Sequence, residues 1–186
     1  MTTTLYERLA GHEWYQVSEV VRRAHPGTGN LQARGVFHVQ HGPGYVARLL
    51  AWLLQLPPSA DATSVQLHIT PSEQGEKWVR TFGNKRLVTR QQEAPGHLLA
   101  ERFGLLEFRF QLRPQVEALS YLQQEAALCF GRLRLSLPPW LAPQVNAIEK
   151  GVEATQRTHS AVNIFLPFFG LLISYEGELE VEKESE

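Results

Sequence analysis

Arg80 and Glu101 each occupy a position where a charge is costly. In Trp78-Val79-Arg80-Thr81-Phe82 the arginine shares a strand face with a tryptophan and a phenylalanine. In Leu99-Ala100-Glu101-Arg102-Phe103 the glutamate shares its face with a leucine and a phenylalanine. An unpartnered guanidinium or carboxylate on such a face costs several kcal/mol, so each needs a partner. One reading is a structural ion pair between the two. The other is a ligand-binding pair at a cavity, with Arg80 meeting a carboxylate or phosphate headgroup and Trp78, Phe108, Tyr175 and Trp52 supplying apolar wall. A general acid or base role for Glu101 is a third.

Other chemistries lack their residues. The chain has 7 histidines, but His38 and His41 are an odd number apart and face opposite ways on a regular strand, and there is a single cysteine, Cys129. No metal or other cofactor is expected from this set. Asp61 is the only aspartate and no G-x-S-x-G occurs, so a Ser-His-Asp triad is not expected. Arg86, Arg90, Arg102, Arg109 and Arg113 fall on the outward faces of two hairpins, with Glu107 opposite Arg102. That face carries no aromatic ladder on which bases could stack, so nucleic acid is not an expected partner. Leu166-Pro167-Phe168-Phe169-Gly170-Leu171-Leu172 is a turn too apolar to face water without reason. Phe168 and Phe169 are expected to plug a barrel end, to make an oligomer contact or to touch a membrane.

The elements that position these residues are mostly short strands. Gly83-Asn84 is a two-residue hairpin turn that sets Phe82 opposite Lys85, Arg80 opposite Leu87 and Trp78 opposite Thr89. Gly104-Leu105 sets Phe103 opposite Leu106, Glu101 opposite Phe108 and Leu99 opposite Phe110. Alternation marks further strands over 34–40, 65–69, 119–130, 133–137 and 158–166. In a last one Ile173, Tyr175, Leu179 and Val181 point one way, before an acidic tail expected to fray. Residues 145–154 fit either strand or helix. Thr4-Leu5-Tyr6-Glu7 has capping-box spacing for a short first helix, and Ser18 to His25 carries apolar residues at helical spacing for a second.

One segment breaks the pattern. From Gly44 to Pro57 every residue is apolar except Arg48 and Gln55, with Pro43 suited to a first helical turn and Pro57-Pro58 closing it. Such a helix spans about 18 Å and wants burial on every face, which predicts Leu49, Leu50, Trp52 and Leu53 inside. A helix lying on a membrane surface is the competing reading. The expected fold is therefore α+β but mostly β. About ten antiparallel strands form a meander, strongly curved or barrel-like, around one buried hydrophobic helix, with two short N-terminal helices and a single domain over 1–186.

The runs WVRTFGNKRLVTR from Trp78, LLAERFG from Leu98, LPPWLAP from Leu137 and LPFFGLLISYEG from Leu166 resemble a bacterial family known as domain of unknown function 4166. The likeness covers nearly the whole chain. Members stand alone or trail a dehydrogenase-like nucleotide-binding domain, so the resemblance implies a link to redox or lipid metabolism and implies no catalytic residues. No Gly-x-Gly-x-x-Gly follows a strand here.

Composition bounds the rest. With 18 basic and 19 acidic residues the net charge is -1, which gives no overall field for nucleic acid or an anionic surface. One cysteine and a start without an apolar leader predict a reducing, cytoplasmic setting. The expected function is a binding module for an apolar or amphipathic, lipid-like small molecule between sheet and helix. The alternatives are an enzyme or accessory domain of a dehydrogenase-linked pathway, and a structural or membrane-peripheral domain, with an oligomer open in each case.

Overall fold

The structure, a computed structural model, describes residues 3–25, 27 and 29–182. Strands β1 (Leu31–His41) and β2 (Ala60–Ser72) are joined through helix α3 (Tyr45–Leu53). β3 (Gly75–Phe82), β4 (Lys85–Ala94), β5 (Leu98–Phe103), β6 (Leu106–Gln115) and β7 (Ala118–Phe130) then follow as antiparallel neighbours. After the short β8 (Leu133–Ser136) come β9 (Gln144–Val152), β10 (Arg157–Leu166) and β11 (Gly170–Val181), and β11 pairs back onto β1. Because β6 pairs with β7 and β7 with β9, ten strands close into an antiparallel barrel. β8 is the extra strand. It lies along the same edge of β7 as β9, with β9 on Ala118 to Leu122 and β8 on Ala127 to Phe130.

The two hairpins that set the register form as their turns dictate. Gly83 (φ 55°) and Gly104 (φ 58°) take the left-handed conformation at the first central position, which a side chain would strain, and the pairs Arg80↔Leu87 and Glu101↔Phe108 follow. Closure removes the sheet edges, and the alternation sorts residues cleanly. Phe37, Leu67, Phe82, Leu99, Phe110 and Ile173 are buried inside, while Arg34, Lys77, Arg86, Arg90 and Arg113 stand on the outer wall. That is the reverse of the polar-in, apolar-out pattern of a membrane-spanning barrel. Among the described residues no helix is long and apolar enough to cross a membrane.

The N-terminal segment closes one end of the barrel. Helix α1 (Leu5–Ala10) opens with the capping box, Thr4 Oγ1 accepting from the Glu7 N–H at 2.9 Å. A 3-10 turn (Gly11–Gln16) leads to α2 (Glu19–Arg23), which Ser18 caps. Tyr6, Trp14, Val17 and Val21 from this segment are buried in the same core as the strand residues.

Two expectations are corrected. Residues 145–154, left between helix and strand by the sequence, are strand as far as Val152, as β9 paired to β7 and β10, and turn beyond it. More consequential, α3 is not enclosed. It packs on β11 and β1 through Ala47 and Ala51, which are fully covered and one turn apart, and Leu50 is half-buried. Tyr45, Leu49, Trp52 and Leu53 point away, Trp52 with 74 % of its surface exposed. Aromatic side chains from the strands crowd the interior and leave far too little space for a helix, and only small residues let α3 sit close to the rim. Residues 183–186, where the acidic tail was expected to fray, lie outside the described residues.

Candidate functional site

A cavity of about 140 Å³ occupies the barrel interior. Its walls change character along the axis. Toward α3 they are apolar, formed by Phe37, Leu56, Val65, Phe82, Phe103 and Ile173. Toward the N-terminal cap they carry Gln91, Tyr121, Glu149 and Thr158. Arg80, Glu101 and Tyr175 lie between.

Arg80 and Glu101 come together as the hairpin registers require, from β3 and β5 across β4. Arg80 Nη1 donates to Thr89 Oγ1 at 3.2 Å and reaches Glu101 Oε1 at 3.5 Å. The guanidinium lies over the Trp78 ring, 4.7 Å from its centroid. A separation of 3.5 Å is long for a charge-assisted bond, which runs near 2.8 Å, so Glu101 only partly satisfies the arginine. Burial alone would lower the Arg80 pKa, but Tyr175 and Glu101 nearby leave it raised, so the group stays a cation. Among the described residues neither Nε nor Nη2 of Arg80, nor the Tyr175 hydroxyl, has a hydrogen-bond partner. Burial pushes the Tyr175 phenol up, with the Arg80 charge opposing, so it remains a neutral donor.

Trp78, Phe108 and Tyr175 line the cavity beside this pair. The indole Nε1 of Trp78 is held by Glu76 at 2.9 Å, which fixes the ring under the guanidinium. Burial raises the Glu76 carboxyl. Trp52 belongs elsewhere: it sits on the solvent side of α3 and is not part of the cavity wall, for the reason that exposes the helix. The histidines of β1 are separated, His41 Nε2 meeting the Pro57 carbonyl at 2.7 Å while His38 faces Asp61 at 3.7 Å. Glu107, read as the partner of Arg102, takes Arg134 at 2.8 Å and Arg109 at 3.1 Å instead, and Arg102 donates to the carbonyls of Gly104 and Cys129.

A second polar group escaped the sequence reading. His25, just past α2, is buried among Tyr6, Trp14 and Trp78, its ring 3.8 Å from that of Tyr6, and its Nε2 meets Glu149 Oε2 at 2.6 Å. Tyr6 donates to Gln91 Oε1 at 2.7 Å and accepts from Tyr121 at 3.4 Å. Burial would raise the Glu149 carboxyl, but the His25 charge, its hydrogen bond and Arg80 outweigh it and leave Glu149 lowered. Both phenols, Tyr6 and Tyr121, are pushed well up, first by burial and then by Glu149. One signal for this cluster was present. Reading 145–152 as a strand with Val145 inward also places Glu149 inward, a second carboxylate on an apolar face.

The arrangement is suited to holding a polar head against fixed donors and an apolar body against aromatics. No curated protein and no solved structure matches the chain. Over residues 18–179 it matches a family model, and the chain thus belongs to the family described as a domain of unknown function, DUF4166.

Proposed function

We propose that the barrel binds an amphipathic small molecule, seating an anionic head, best a carboxylate, on Arg80 and its apolar body among Phe37, Phe82 and Phe103. The observation that carries this reading is the unspent donor set at mid-cavity. Arg80 Nε and Nη2 and the Tyr175 hydroxyl have no hydrogen-bond partner among the described residues, although all belong to cavity-lining residues. Arg80 and Tyr175 are only half-buried, so these donors are open to the cavity, and a guanidinium edge matches a carboxylate in bidentate fashion. A structural ion pair alone would be expected to close to a shorter distance than 3.5 Å.

Size constrains the ligand. A volume of about 140 Å³ is close to that of an apolar cavity that admits benzene, so the enclosed part is ring-sized or a short chain, and a longer tail would leave past Leu56 toward α3. Trp78 lies against Arg80, so its fluorescence reports occupancy. Titration with benzoate, hexanoate and decanoate should change the emission, and Arg80→Met should weaken binding by about ten-fold or more. Native mass spectrometry of the purified protein should show a co-purifying acid. A ligand-free mass together with no response to any of the three acids would refute the reading.

A further inference from the structure

The end of the barrel opposite the N-terminal cap carries the β1–β2 connection with α3, the tight turns β3–β4, β5–β6 and β7–β8, and the β10–β11 turn, with the loop from β8 into β9 beside it. Residues 42–59, 83–84, 104–105, 131–132, 137–143 and 167–169 contain not one acidic residue. Their charges are Arg48 and Arg132, with Lys85 and the fully exposed Asp61 just beyond; the three cations are exposed and none has a carboxylate partner among the described residues. At the capped end Glu7, Glu13 and Glu19 are matched in number by Arg8, Arg22 and Arg23, and the turns there add Glu73, Glu117 and Glu153. The two ends of a chain of net charge -1 thus differ in sign, the open end carrying a small excess of cations.

The same cationic end holds large apolar side chains that a water-facing surface does not explain. α3 is amphipathic with the usual sense inverted: Ala47 and Ala51 face the protein, while Tyr45, Leu49, Trp52 and Leu53 form the outward stripe. Phe168 is 86 % exposed at the β10–β11 turn and Trp140 is 64 % exposed in the neighbouring loop. Arg48 lies over the Tyr45 ring, 5.1 Å from its centroid, a cation held at the edge of the apolar stripe.

We propose that this end docks on an anionic bilayer surface, with Trp52, Phe168 and Trp140 entering the headgroup region and Arg48, Lys85 and Arg132 meeting lipid phosphates. Aromatic residues favour the interfacial zone, and basic side chains beside them snorkel to headgroups. Charge favours an anionic surface over a second copy, because a twofold contact through this end would bring two sets of three cations together with only Asp61 from each mate to offset them. Three basic residues near an anionic surface strengthen binding by about a hundred-fold in all. The inference holds whether or not the cavity takes a ligand.

The test is co-sedimentation of the full chain with vesicles of phosphatidylcholine alone and of phosphatidylcholine and phosphatidylglycerol in equal parts. Binding to the anionic vesicles is expected, weakened at high salt. It should fall about ten-fold or more in Trp52→Ser with Phe168→Ser and in Arg48→Glu with Lys85→Glu, and stay unchanged in Tyr15→Ser, an exposed aromatic at the capped end. These sites are exposed, and circular dichroism confirms that each variant is folded. Failure of the native chain to sediment, equal binding to neutral vesicles, or undiminished binding by either double variant would overturn the proposal. So would a native dimer that Trp52→Ser turns into a monomer.

Discussion

His25 Nε2 and Glu149 Oε2 lie 2.6 Å apart although 124 positions separate the residues in sequence. The contact ties the cap to the barrel wall, from just past α2 to the inner face of β9, and it is a charged contact inside a largely apolar core. Breaking it by Glu149→Gln should cost about 3 kcal/mol, because an uncompensated buried group is left behind. Urea denaturation followed by tryptophan fluorescence measures this.

The same carboxyl sets a pH dependence. Its pKa in the folded chain is lowered, so its contribution is fully present above the ordinary carboxylate range. It is lost as the pH falls through that range toward the lowered folded value. Midpoints of thermal unfolding should therefore drop on acidification in the native chain, and Glu149→Gln should drop less over that window. Equal slopes would remove Glu149 as the cause.

Arg80 and Glu101 should show coupling in a double-mutant cycle on Arg80→Met and Glu101→Gln. At 3.5 Å, with Thr89 and Trp78 also holding the guanidinium, the coupling should be about 1 to 2 kcal/mol. A fully desolvated, tightly hydrogen-bonded pair would give more. Zero coupling would make the two charges independent cavity groups.

Gly177 on β11 is a point of close approach. A Cβ there would stand 2.2 Å from the Val36 carbonyl oxygen and 2.6 Å from the Phe37 ring, so Gly177→Ala should destabilise by about 3 kcal/mol. Neither neighbour can retreat cheaply, since one is backbone and the other a packed aromatic. A fall in the urea midpoint at unchanged slope is the expected reading.

Leu53→Asp should be nearly neutral for stability, within about 0.5 kcal/mol, because the residue is 57 % exposed on α3. The burial inferred from sequence predicts unfolding instead, so this one variant separates the two placements of the helix by its melting curve.

The strands, their registers and the inward placement of Arg80, Glu101, Trp78 and Tyr175 were legible because turn glycines and period-two alternation are local signals. Gly83 and Gly104 each fix a hairpin whatever the rest of the chain does. The helix was misplaced because uniform apolarity states a preference for leaving water and says nothing about what receives it. In α3 the covered residues are alanines, and the large side chains that drew attention face out. The His25–Glu149 contact was hidden for a different reason. It joins segments far apart in the chain, and neither member sits in an alternation strong enough to place it alone.

The shared edge of β7 makes the barrel a ring with a seam. Between the stretches that pair with β9 and β8, the Leu137 N–H donates to the Ala126 carbonyl at 2.8 Å, and the Gln123 amide donates to the Pro143 carbonyl at 2.9 Å and accepts from the Val145 N–H at 2.6 Å. A side-chain amide there stands in for a missing peptide rung. Hydrogen exchange should thus run faster at Val145 than at the paired amides of β10, and Gln123→Ala should widen the difference. With the ladders to β9 and β8 on either side of it, this is the stretch of the β7 edge where the wall opens first.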